Sequence, residues 1–188
     1  MPIDRDEEKI KEFKENYQSL AAGEEVWFYD ESGFKADMPP RRVWAKKGTK
    51  PTHYYRGNHI NCNIMGAVSP DSGDFECLMV TGSDTETFQV FLNHLKLWTE
   101  GRRILLIQDN ASWHKTKGLD WGNIVPIYLP PYAPDLNPIE ELWKVVKDRL
   151  CEHIPPKSVE ELYDRLQAIA KHFYESKDEI KSICRRSY

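Results

Sequence analysis

No window of this 188-residue sequence approaches the run of about 18 apolar residues that a membrane span needs. The opening segment MPIDRDEEKIKEF is charged where a signal peptide would be apolar. A soluble, cytoplasmic protein without membrane association is therefore expected. Cysteine is sparse and scattered: Cys62, Cys77, Cys151 and Cys184 make no Cys-x-x-Cys pair, which argues against both a structural zinc site and a disulfide framework. Internal repeats and low-complexity tracts are absent too. A formal net charge of −4 excludes a protein that coats nucleic acid indiscriminately, but it leaves room for a local basic patch. What is present is the material of one packed domain: 40% hydrophobic and 12% aromatic residues, with six tryptophans.

Residues 1–25 hold eight acidic and four basic side chains around a thin apolar stripe of Ile10, Phe13, Tyr17 and Leu20. They read as a charged helix on the outside of a domain spanning residues 26–188. VWFYD, residues 26–30, reads as a buried strand ending in Asp30. Residues 35–58 lack a hydrophobic period. They carry seven basic residues against the single acid Asp37, and Arg41, Arg42, Lys46, Lys47 and Lys50 surround Trp44. This basic, aromatic loop suits contact with phosphates and with unpaired bases.

Ile60, Cys62, Ile64 and Val68 alternate with polar or small residues, and the turn residues Pro70, Asp71, Ser72 and Gly73 lead into FECLMVTG, a hairpin pattern. Ser83 with Glu86 predicts a capping box for a helix through Phe88, Phe91, Leu92, Leu95 and Trp98. ILLIQD, residues 104–109, is a continuous apolar run ending in Asp109, as in a strand covered on both faces. IVPIYL at 124–129 predicts another strand, and Ser158 with Glu161 opens a last amphipathic helix. The order fits an α/β fold, a mixed five-stranded sheet with helices on both faces, whose functional groups gather near the strands' carboxyl ends.

The chain is organised around residues 129–150, LPPYAPDLNPIEELWKVVKDRL. Asn137 suits an N-cap, Pro138 suits the first helical position, and Ile139, Leu142, Trp143, Val146 and Leu150 recur at helical spacing. Glu141 falls opposite that stripe, whereas Glu140 falls on its edge, where it can reach a cleft. Alone, Glu140 could equally close a capping box with Asn137.

Taken together, Asp30 in FYDESGF, Asp109 in LLIQDNASWHK and Glu140 in LPPYAPDLNPIEELW resemble the three motifs of DDE transposases of the mariner superfamily, in its prokaryotic insertion-sequence branch. The resemblance implies a ribonuclease H-like fold and cutting and joining of DNA at transposon ends. It implies Asp30, Asp109 and Glu140 as catalytic metal ligands for Mg²⁺ or Mn²⁺, two ions being held once DNA is bound. Oxygen-only ligands suit such hard cations, and two ions can serve an in-line displacement without a covalent intermediate. Asn110, His114 and Glu31 match the motifs as supporting residues: Asn110 orients Asp109 or stabilises its turn, and His114 lies near the metals or is a structural hydrogen-bonder. The Trp44 loop resembles the family's loop for DNA or a partner subunit.

The connection of thirty residues between Asp109 and Glu140 is short for the family, which predicts a trimmed loop near residues 117–123. Only 29 residues precede Asp30, too few for the helix-turn-helix modules that recognise transposon ends. Expected partners are thus transposon-end and target DNA, a second copy in a homodimer, and a separately encoded or missing helix-turn-helix segment. Ile10, Phe13 and Tyr17 offer such a segment an attachment point. Cytoplasmic location, at the nucleoid when DNA-bound, follows from the resemblance. Two alternatives stand beside it, a truncated remnant that binds DNA or dimerises without transposing, and a nuclease that only hydrolyses.

Overall fold

The computed structural model describes residues 5–35, 46–48, 61–151 and 156–185. Its strands are β1 (Glu25–Lys35), β2 (Asn61–Ser69), β3 (Asp74–Val80), β4 (Ile104–Gln108) and β5 (Ile124–Tyr128). Its helices are α1 (Glu7–Ala21), α2 (Thr85–Trp98), α3 (Ile139–Cys151), α4 (Val159–Glu175) and α5 (Lys177–Ile183). The strands form one sheet in the order β3-β2-β1-β4-β5. β1–β2 and β2–β3 are antiparallel, while β1–β4 and β4–β5 are parallel, so the mixed five-stranded sheet is the one the sequence predicts.

Alternation along β1 divides the core. Trp27 and Tyr29 pack with Phe88, Phe91, Leu92 and Leu95 of α2 on one face. Val26, Phe28 and Phe34 pack on the other, with α1, α3, α4 and α5. Helices cover both faces, and for that reason the strand β4 is buried along its whole length. Ile10, Phe13 and Tyr17 of α1 are buried in this core. At about 1.5–3 kcal/mol for each fully buried large apolar side chain, they hold α1 to its own sheet. They are therefore spent inside the chain, and the expected attachment point for a partner is corrected.

The β2–β3 hairpin turns where the sequence places it. Gly73 closes the turn with its N–H 2.8 Å from the Ser69 carbonyl, at φ +75°. A Cβ there would lie 2.4 Å from the Lys177 carbonyl oxygen, so both the turn and the docking of α5 require glycine.

Three local expectations change. β1 does not end at Asp30; it continues to Lys35, because β2 supplies antiparallel partners as far as Lys35↔Asn61, through Gly33. The cap of α2 is Asp84 rather than Ser83, its carboxylate accepting from Thr87 N at 2.8 Å. A short α5 follows α4, where the sequence predicted nothing further.

Candidate active site

The register of β1 against β4 positions the two aspartates. Phe28 pairs with Ile107 in parallel, and both belong to the face that carries α3. Two residues further along each strand come Asp30 and Asp109, which alternation returns to the same face. Asp30 still has a partner across β2, Gly66, whereas β4 has ended at Gln108. The Asp109 carboxylate folds back instead to accept the Ala111 N–H at 2.9 Å.

α3 brings the third acid. Asp30, Asp109 and Glu140 line one cavity of about 410 Å³, with Asn110 and the segment 129–134 forming its other wall. Glu141 points elsewhere, its carboxylate 2.5 Å from Lys144 Nζ on the exposed side of the helix. Trp143 and Asn137 fix α3 in place. Trp143, buried, lies so close to β2 that a Cβ on Gly66 would come within 2.6 Å of its ring. Asn137, also buried, donates from Nδ2 to the Tyr29 carbonyl at 2.9 Å, one residue before Asp30. Its expected capping box with Glu140 is not formed: Asn137 Oδ1 has no hydrogen-bond partner among the described residues, and its backbone N–H bonds Pro134 O at 2.8 Å. The bond to the strand orients the amide so that its oxygen meets no N–H of the first helical turn.

The opposite face of β1 carries the supporting residues. Glu31 Oε1 accepts from Tyr29 Oη at 2.7 Å and Trp113 Nε1 at 3.3 Å, and lies 3.0 Å from His114 Nε2. His114 belongs to the 3₁₀ turn Ser112–Lys115 and is fully buried, with the Phe88 ring tilted against it at 4.6 Å between centroids. Its Nδ1 is 2.9 Å from Asp109 Oδ1, out of line for a straight hydrogen bond and therefore an ion-pair contact. Asn110 bridges two elements, donating to the Leu129 carbonyl and accepting from Lys115 Nζ at 2.5 Å. Asp135, in the 3₁₀ turn Pro134–Leu136, receives a two-pronged Arg5 guanidinium at 2.7 and 3.1 Å, which ties the start of α1 to the wall of the cavity.

The electrostatics follow from this packing. Burial pushes the Asp30 carboxyl up to about 8, and the negative charges of Glu140, Glu31 and Asp109 push in the same direction. Asp109 moves the other way, because the His114 contact and the Ala111 N–H favour its carboxylate over the opposing effect of burial. Burial lowers the affinity of His114 for a proton, but Asp109 and Glu31 outweigh it and raise its pKa to about 9. His114 is thus an imidazolium between the Glu31 and Asp109 carboxylates at neutral pH. Among the described residues, no three acid, histidine or cysteine side chains close into a preformed metal cage. The three acids face the cavity as an open set.

Of the basic-loop residues, Lys46 and Lys47 are exposed, and Arg41, Arg42, Trp44 and Lys50 lie outside the described residues. The structure also brings in residues that the sequence reading did not single out. Tyr29 and Trp113 hold Glu31, and the period-2 pattern of β1 would have put Tyr29 and Glu31 on one face. Asn137 could not be found this way, since an Asn before Pro at a helix start reads first as a cap. Tyr132 stands on the cavity's rim, 58% exposed and with φ +57°.

A sheet in this order, carrying one acid on its central strand, one just past the end of the neighbouring parallel strand and one on the helix packed against β1 and β2, defines a ribonuclease H-like catalytic core. The chain belongs to the family of DDE superfamily endonucleases, whose model matches residues 25–163. Among curated proteins it is similar to the uncharacterized protein y4pE/y4sA of Sinorhizobium fredii (strain NBRC 101917 / NGR234), 38% identical over 87 residues, 45% of this chain and 64% of the relative. It is also similar to the insertion element IS630 uncharacterized 39 kDa protein of Shigella sonnei, 23% identical over 90% of this chain and 50% of the relative. The chain therefore spans about half to two thirds of these relatives' lengths. Among solved structures, the Mos1 strand transfer complex matches with a TM-score of 0.66 at 17% identity, covering 98% of this chain and 62% of the matched one, a likeness of fold.

Proposed function

We propose that this chain is the catalytic part of a DNA transposase, which cuts DNA at the ends of a mobile element and joins the freed 3′-hydroxyl to a target. The observation that carries the reading is the arrangement of Asp30 on β1, Asp109 just past β4 and Glu140 on α3 around one cavity. An oxygen-only set of acids fits hard divalent cations, which keep several sites for water and phosphate oxygens, so an open set is what Mg²⁺ or Mn²⁺ requires. Burial first, and then the charges of Glu140, Glu31 and Asp109, raise the proton affinity of Asp30, so a cation bound among these acids would relieve their mutual repulsion. Asp30, Asp109 and Glu140 would hold the metal, as two ions once DNA is bound. Bound there, such ions activate an attacking oxygen and stabilise a leaving one in an in-line displacement.

The chain's own residues keep those ligands in position. His114 orients Asp109 and Glu31, Asn110 joins the loop after β4 to the wall at Leu129, and Asn137 fixes α3 against Tyr29. In the first step water breaks the P–O3′ bond at the element's end and leaves a 3′-hydroxyl. In the second that hydroxyl attacks a target phosphodiester, displacing another 3′-oxygen. Lys46, Lys47 and the neighbouring Arg41, Arg42, Trp44 and Lys50 supply phosphate and base contacts, and a second copy and a helix-turn-helix segment supply pairing and end recognition. Work on DNA suits the cytoplasm, at the nucleoid, and no helix among the described residues is long and apolar enough to cross a membrane.

The test is incubation with a pre-cut transposon end, a plasmid target and Mn²⁺. Joined product is expected from the unaltered chain and none from Asp30→Asn, Asp109→Asn or Glu140→Gln. Hydrolysis without joining would assign a nuclease instead, and binding without either would assign a remnant.

A further inference from the structure

The wall of the cavity facing the acids is unlike a site made for phosphate and metal alone. It consists of Leu129, Pro130, Pro131, Tyr132, Ala133 and Pro134, without a single charge. Tyr132 is the one large aromatic side chain in it, and it is turned outward. The residue is 58% exposed, and its side chain has no hydrogen-bond, ion-pair or ring partner among the described residues.

The backbone makes this exposure deliberate rather than incidental. Tyr132 sits at φ +57°, the left-handed region that a bulky L-residue seldom occupies and that glycine occupies freely. Such strain persists only where the surroundings hold it, and here they do. Pro130, Pro131 and Pro134 restrict the chain on both sides. Leu129 N bonds Gln108 O at 2.8 Å before the turn, and Leu136 N bonds Ala133 O at 3.1 Å after it. The residue is thus held at the edge of the acid-lined cavity by a stiff loop, so little backbone freedom remains to be lost on binding.

We infer that Tyr132 is a stacking platform for the base of an unpaired nucleotide next to the scissile phosphate. Every base has an apolar π-face, and an aromatic side chain that meets it contributes without regard to sequence. An acidic floor for the phosphate's metal ions and an apolar, aromatic wall for the adjoining base together match one nucleotide of DNA. The inference rests on the transposase reading and names the part of the substrate that the cavity's wall receives.

The experiment compares the unaltered chain with Tyr132→Gly and Tyr132→Phe in Ca²⁺ at low salt. The probes are a duplex end carrying one unpaired 2-aminopurine and the same end fully paired. Stacking quenches 2-aminopurine fluorescence. The unaltered chain and Tyr132→Phe are expected to quench it alike. Tyr132→Gly is expected to lose the quenching and about 5- to 150-fold in affinity for the unpaired end, the equivalent of about 1–3 kcal/mol, while binding the paired end as before. Because glycine suits φ +57°, the melting temperature of Tyr132→Gly should equal or exceed that of the unaltered chain, which separates lost stacking from lost fold. Equal quenching by Tyr132→Gly, or an equal loss in Tyr132→Phe, overturns the inference. If the unaltered chain joins ends to target and yet Tyr132→Gly binds normally, only the platform is refuted. If the unaltered chain neither binds nor cuts DNA ends, the transposase reading falls and the platform falls with it.

Discussion

Replacing Asp30 by asparagine should make the metal-free protein more stable at neutral pH, although the same change should abolish catalysis. The folded chain raises the Asp30 carboxyl from 3.8 to about 8, through burial first and then through the charges of Glu140, Glu31 and Asp109. Between those values the folded state carries a proton that the unfolded state has released. Stability contributed by this group is therefore complete below about pH 4 and is lost progressively as the pH rises towards about 8. At about 1.4 kcal/mol for each pH unit, the difference accumulated by pH 7 is about 4 kcal/mol at most. Asparagine has nearly the same shape and no charge, so it removes this penalty. Water reaching the open cavity screens part of it, which leaves an expected gain of about 1–4 kcal/mol. In a chain of this size each kcal/mol moves the melting temperature by about 2–4 °C.

Urea unfolding in EDTA at pH 5 and pH 7 measures the effect. The variant's advantage should be larger at pH 7, since the unaltered carboxyl is nearer to protonation in both states at pH 5. Saturating Mn²⁺ should then stabilise the unaltered protein more than the variant, because only the former keeps all three acids for a ligand that binds the folded state. An Asp30→Asn protein no more stable than the parent at pH 7, or with an advantage that does not shrink at pH 5, would refute the electrostatic account of this site.

Gly66→Ala would put a Cβ 2.6 Å from the Trp143 ring, so overpacking should destabilise the fold by about 1–3 kcal/mol and, by displacing α3, weaken Mn²⁺ binding in calorimetry more than Gly82→Ala, where nothing lies within 4 Å. Equal effects at the two glycines would show that the packing of Trp143 on β2 does not set the helix position. Replacing Arg41, Arg42, Lys46 and Lys47 together by alanine should flatten the salt dependence of DNA binding by about 0.9 in log–log slope for each phosphate no longer neutralised, and an unchanged slope would remove this loop from the DNA interface.

Much of the arrangement was legible because it rests on short-range periodicity. The unbroken run ILLIQD suits a strand covered on both sides, and the 3.6-residue period of α3 separated Glu140 from Glu141. What was not legible depended on partners distant in sequence. The apolar pattern of β1 ends at Asp30, yet Asn63 pairs with Gly33 and the strand runs on. Ser83 and Asp84 both suit a cap, and only the fold decides which of them the first turn of α2 meets. Asn137 has the signature of a cap and is instead claimed by the Tyr29 carbonyl, 108 positions earlier in the chain. Ile10, Phe13 and Tyr17 showed an apolar stripe, but a stripe does not say whether its cover lies in the same molecule.

The continuation of β1 past Asp30 makes the two aspartates mechanically unequal. Asp30 is clamped in the middle of a strand, with β2 bonded alongside it through Gly66 and on to Asn61. Asp109 stands just past the last residue of β4, held by a turn to Ala111 and by the imidazole of His114. The pair works as a vice with one fixed jaw and one sprung jaw. Adjustment of the site to cargoes of different width should therefore be taken up by the turn after β4, while the sheet beneath Asp30 stays still.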